Sequence, residues 1–160
     1  MDTPPLHESL EPVAFLVGEW QGGGQGTFPT IEPFEWREET RFWHVGRPVL
    51  LYAQRTHDAA TGEPRHVEFG FVRPGSADGS FELVVSHSTG HAEVCEGTAV
   101  GTRLELRSTS MVGTPTAKTV TAVDRVYELD GEVLRVRLAM EAVGEPMTDH
   151  LEGALTRATA

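Results

Sequence analysis

The chain has a single cysteine, Cys95, in 160 residues, so no internal disulfide can form. That thiol stands between Val94 and Glu96, without the cationic neighbours that create a reactive thiolate, and is expected to pack. No basic-then-apolar leader precedes Leu6. No apolar run approaches the roughly 20 residues that a membrane span needs. The expected compartment is therefore the cytoplasm, with no membrane partner. Basic residues are also scarce: 13 Lys and Arg against 24 Asp and Glu leave a net charge of −11. That balance repels phosphate backbones, so nucleic acid is not an expected partner.

Motifs of local chemistry are few. The seven histidines, His7, His44, His57, His66, His87, His91 and His150, form no His-x-His pair, and no Cys-x-x-Cys exists. A zinc site assembled from sequence-distant histidines stays open, since spacing does not report spatial clustering. No Gly-x-Ser-x-Gly elbow marks a hydrolase nucleophile. There is no internal repeat, low-complexity segment or linker, and 160 residues are expected to form one domain over 1–160.

Glycine is what the chain does have, most densely in "GEWQGGGQGTFPTI" at 18–31. Phosphate-binding loops require a helix directly after the glycines, but Pro29 and Pro33 block one here. A Walker loop would need Lys-Ser/Thr where Gly26 is followed by Thr27 and Phe28, and a dinucleotide loop counted from Gly24 would need glycine at position 29. The glycines instead predict sharp bends or close backbone approach in a strand.

One short helix is expected in "SLEPVAFLVG", with Pro12 in its first turn, Val13, Phe15, Leu16 and Val17 covering an apolar interior, and Gly18 as its stop. Beyond it the period is two. About ten strands are separated by turn segments such as "ATGEP", "RPGSADGS" and "LDGE", which predicts an antiparallel meander closing on itself, with a sandwich as the competing architecture. A barrel of that strand number has room for a small ligand. Alternation puts Phe81, Leu83, Val85 and His87 on one face, and Leu134, Val136, Leu138 and Met140 on another inward face. It turns His66 away from the face of Val67, Phe69 and Phe71. His150 is grouped with Thr148, Glu152 and Ala154, opposite Leu151 and Leu155, which points it outward.

Taken together, Gly18, Trp20, Gly22 and Gly24 in Gly-x-Trp-x-Gly-x-Gly, "PTI" at 29–31, "GEPRHVEFGFVRP" at 62–74, "STG" at 88–90, "AK" at 117–118 and "HLEGALTR" at 150–157 resemble the nitrobindin family. The likeness runs in order over nearly the whole chain. It implies an all-β, closed ten-stranded antiparallel barrel of the lipocalin and fatty-acid-binding-protein kind, with Trp20 packed at its closed end. It further implies that haem b binds at the mouth, that ferric iron isomerises peroxynitrite to nitrate, and that nitric oxide binds reversibly. By the same resemblance His150 is the proximal iron ligand, Thr30 and Lys118 contact the cofactor, and Phe34, His66, His87 and Met140 line the pocket. No catalytic side chain beyond the iron is implied, and both monomer and homodimer remain open.

Overall fold

The structure is a computed structural model describing residues 4–159. Ten strands follow a short helix: β1 (Gly18–Phe28), β2 (Ile31–His44), β3 (Leu50–Asp58), β4 (Pro64–Pro74), β5 (Ser80–His87), β6 (His91–Val100), β7 (Arg103–Gly113), β8 (Val120–Asp130), β9 (Val133–Ala142) and β10 (Glu145–Arg157). Each pairs antiparallel with its chain neighbours, and β1 pairs with β10 to close the barrel. The sandwich alternative is set aside, because closure leaves no sheet edge to protect. β2 begins at Ile31 and carries Pro33 within it. Among the described residues no helix is long and apolar enough to cross a membrane.

The helix, Glu8–Leu16, is a 3-10 helix. Pro12 lies in its interior and not, as expected, in its first turn; His7 is the N-cap, with its ring accepting from the amide of Ser9 at 3.3 Å. Three residues per turn align positions i and i+3, and the fully buried Leu10, Val13 and Leu16 form that row. Phe15 and Val17 are only partly buried against them. This row covers one end of the barrel. Trp20 completes the seal: its indole N–H donates to the Leu16 carbonyl at 2.8 Å, and the Arg157 guanidinium lies 4.4 Å from the centre of its ring. Arg157 also donates to the Val17 carbonyl at 2.7 Å.

Above this seal the interior is apolar, with Phe42, Leu50, Phe81, Leu83, Leu104, Leu106, Leu134 and Leu155 all buried. Cys95 belongs to it as expected. Burial, with Glu93 nearby, pushes its thiol up to about 12. The glycines of β1 serve close approach. A Cβ at Gly24 would run into the Glu152 carbonyl of β10, and one at Gly26 into the Phe34 ring of β2.

Candidate functional site

The end opposite the helix holds a cavity of about 570 Å³, within the range of roughly 300–1,000 Å³ found for cofactor pockets. Thr30, Phe34, His66, His87, Lys118, Met140 and His150 all line it, so seven residues spread from position 30 to 150 converge there. Gly18 and Trp20 do not belong to it. Gly22 and Gly24 border a more open groove of about 920 Å³ with residues 35–39, His57 and Asp58.

His150 enters the cavity through an irregularity. Asp149 pairs with Ala139 and Leu151 with Leu138, so two steps along β10 meet one along β9. A bulge of this kind resets the side-chain phase. Both His150 and Leu151 therefore line the cavity, contrary to the outward orientation that alternation predicts for His150. Nδ1 of His150 lies 2.9 Å from the Thr27 carbonyl oxygen, which can only accept. The proton is thus on Nδ1, and Nε2 keeps its lone pair. Phe28 stands edge-on with ring centroids 5.6 Å apart, and Phe34 lies at 6.0 Å. Burial lowers the pKa of the imidazole, against the opposing hydrogen bond to Thr27, which favours the neutral form a metal ligand requires.

β4 supplies the second surprise. Val67, Phe69 and Phe71 face outward, at 48%, 51% and 45% exposure. His66 is turned away from them, as alternation states, but that direction is the interior. Glu68 shares its face and is buried. Across the ladder Glu68 pairs with His87, which points inward with Phe81, Leu83 and Val85 as expected. His66 Nε2 lies 3.0 Å from His87 Nδ1, and Glu68 Oε1 lies 3.3 and 3.4 Å from those two nitrogens.

Beneath them is a buried ionic layer. Arg125 donates through both terminal nitrogens to Glu68, each at 2.9 Å, and the Tyr52 hydroxyl donates to Glu68 Oε2 at 2.7 Å. Arg125 Nε stands 2.6 Å from Glu93 Oε1, off the N–H axis, so this contact is ionic in character. Burial alone would raise the Glu68 pKa; Arg125 and the His66 contact more than offset it and hold the carboxyl well below its ordinary value. Glu93 is likewise lowered by Arg125 against its burial. Glu38 sits in the same layer with the Thr40 hydroxyl as partner, and burial pushes it up to about 7.

At the rim, Thr30 lies in the β1–β2 turn and Lys118 in the β7–β8 loop, both exposed. The Lys118 carbonyl accepts from His91 Nε2 at 2.5 Å, and Thr89 meets His91 Nδ1 at 2.9 Å, which fixes this wall. The cavity's apolar share comes from Phe28, Phe34, Met111, Leu138, Met140 and Leu151, among others. Sequence reasoning missed Glu68, Glu93 and Arg125. Their signal was parity: each sits two residues from another inward position, His66, Cys95 and Tyr127 respectively.

The family of the THAP4-like, heme-binding beta-barrel domain matches residues 9–157. The chain belongs to this family. Its likeness to peroxynitrite isomerase 2 of Mycobacterium avium (strain 104) is 46% identity over 156 residues, covering 95% of this chain and 96% of that protein. Peroxynitrite isomerase of Nocardia farcinica (strain IFM 10152) is 43% identical over 95% of this chain and 92% of that protein. The crystal structure of Rv2717c from M. tuberculosis superposes with a TM-score of 0.89 at 42% identity, covering 97% of this chain and 100% of that one. The haem-binding β-barrel expected from the motifs thus stands as to both family and fold.

Proposed function

We propose that the barrel, acting as one domain, binds haem b in the open cavity through Nε2 of His150 and isomerises peroxynitrite to nitrate there, with reversible nitric oxide binding as a companion property. The observation that carries this reading is the His150 ring. Its bulged position brings it into the cavity, and its Nδ1–H is committed to the Thr27 carbonyl, which leaves Nε2 as the one free lone pair on that ring. An outer-shell hydrogen bond of this kind sets the tautomer and raises ligand basicity. The cavity residues suit the group: aromatic and aliphatic walls accept a flat apolar macrocycle, and Thr30 and Lys118 offer a hydroxyl and an ammonium at the wet rim for its carboxylates.

Bound haem would supply the iron chemistry by which peroxynitrite is rearranged to nitrate. The chain's own residues do the rest. Phe28 and Phe34 hold the imidazole edge-on and tilted. The apolar walls exclude water, and His66 and His87 line the same cavity. Similarity to proteins named peroxynitrite isomerase supports the choice of substrate.

Hemin titration of the purified chain tests the binding step. A sharpened Soret band is expected in the wild type and its loss in His150→Ala; an unaltered hemin spectrum in the wild type would refute the assignment. Stopped-flow decay of peroxynitrite, with nitrate yield measured, tests the activity. Faster decay and more nitrate are expected with ferric haem than without it, and equal rates would leave a carrier or nitric oxide sensor.

A further inference from the structure

We propose that His66, Glu68 and His87 form a second metal site, a two-histidine, one-carboxylate triad for a divalent first-row transition metal, in the wall of the same cavity. The donor atoms are His66 Nε2, His87 Nδ1 and Glu68 Oε1, and they form a triangle with sides of 3.0, 3.3 and 3.4 Å. A cation about 2.1 Å from each of three such donors holds them about 3.0 Å apart in octahedral geometry and about 3.4 Å apart in tetrahedral geometry. The triangle falls within those limits, so coordination requires little movement of the donors. Their mounting is rigid: His66 and Glu68 are inward residues of β4, and His87 faces Glu68 across the β4–β5 ladder.

Two independent features point to a cation here. His87 is nine-tenths buried, and its Nε2 has no aligned hydrogen-bond partner. That nitrogen stands 3.4 Å from Oε2 of Glu93. When Nδ1 binds a metal, the proton must reside on Nε2 and faces that carboxylate, the outer-shell arrangement common to histidine ligands. The second feature is charge. Glu68 and Glu93 share the single guanidinium of Arg125; the other groups facing them are Tyr52, Tyr127, Glu38 and the two site histidines. Two carboxylates gathered around one guanidinium form a setting that accommodates a second cation. Without a metal, the 3.0 Å contact between His66 and His87 needs a proton on its axis, and that proton must leave the axis before both lone pairs can coordinate.

Arg125 fixes the Glu68 carboxylate in place and leaves Oε1 a free lone pair, though its own charge lowers the affinity for a second cation. If the proposed activity holds, an occupied site would also add positive charge to the wall of the cavity that an anion such as peroxynitrite enters. That consequence rests on the proposed function, whereas the metal site does not.

The test is a Co²⁺ titration of the full chain without added hemin, following the visible d–d absorption of the bound ion. A saturable band with one ion per chain is expected. It should weaken by at least about tenfold in apparent affinity in His66→Ala and in His87→Ala, and persist in His150→Ala, which separates this site from the proposed haem ligand. His87→Gln preserves size and polarity, and the melting temperature of each variant reports folding. Loss of the band in His87→Gln with an unchanged melting temperature supports the triad. No band in the wild type at millimolar Co²⁺, or a band that survives both histidine substitutions, overturns it.

Discussion

The two ends of the barrel interior are built from the same strands with opposite chemistry. Along β5 the inward residues run Phe81, Leu83, Val85, then His87; along β4, Val72, Gly70, Glu68, then His66; along β2, Phe42, Thr40, Glu38, then Trp36. Towards the helix these positions carry mainly hydrocarbon or aromatic side chains, with Gly70 and Thr40 at the transition. Towards the cavity the same alternation delivers carboxylates, imidazoles and a guanidinium. The closed end supplies burial and stability, while the open end holds charges in place at some cost in desolvation. The separation teaches that this fold divides its labour along the barrel axis and not between strands.

The sharpest way to break that division is at the seal. Trp20→Ala removes a fully buried indole and its hydrogen bond to Leu16, and is expected to cost about 3 to 5 kcal/mol in denaturant unfolding. The hemin affinity of the fraction that remains folded should be unchanged; a cavity that fails with the seal would show that the two ends are coupled. A comparable loss is expected from the ionic layer. Arg125→Met leaves Glu68 and Glu93 buried without their counter-charge, and breaking such a pair from one side costs about 3 to 5 kcal/mol. An unfolding midpoint equal to wild type would mean that the layer is not dry.

The closed end was largely legible in the sequence. The inward rows Phe81–Leu83–Val85 and Leu134–Val136 follow the period of two, and turn chemistry separates most of the ten strands. The open end was legible mainly through the family resemblance. Alternation assumes that the apolar face of a strand is the buried one, and β4 violates this: Val67, Phe69 and Phe71 face outward while Glu68 and His66 occupy the inner face. It also assumes an unbroken phase, which the bulge at Asp149 and Leu151 interrupts next to His150. The 3-10 form of the first helix was equally hidden, since its signal is the row Leu10, Val13 and Leu16 at intervals of three, and Pro12 suggested a start where the structure has a midpoint.

Glu38 offers a test by pH. Its carboxyl is raised from an ordinary 4.5 to about 7 by burial, so between those values this group holds its proton in the folded chain and has lost it in the unfolded one. Stability contributed by the neutral form is complete below about pH 4.5, falls as the pH rises towards 7, and is flat above it. At about 1.4 kcal/mol for each tenfold change in proton affinity, the decline amounts to about 3 kcal/mol at most. Glu68 and Glu93, held low, lose their stabilisation only as the pH falls below the ordinary carboxyl range. Glu38→Gln, which cannot ionise, should therefore gain unfolding free energy relative to wild type from pH 5 to pH 7. A pH-independent difference would place the Glu38 charge elsewhere.

The smallest effect is expected at the rim, where the polar character of the open end meets solvent. Lys118 is exposed, on a loop anchored through its own carbonyl to His91, so truncating its side chain leaves that backbone contact in place. Lys118→Ala should leave the melting temperature of the haem-free chain unchanged. If the ammonium holds a cofactor carboxylate, the haem off-rate should rise by an amount equivalent to about 1 kcal/mol, since an exposed charge-assisted contact is weakened by water. The increase should shrink at high salt, because the contact is electrostatic and lies in solvent. A salt-independent increase would assign the effect to lost packing by the lysine's methylene chain, and an unchanged off-rate would remove Lys118 from the site and leave the His150 imidazole and the apolar walls to hold the cofactor.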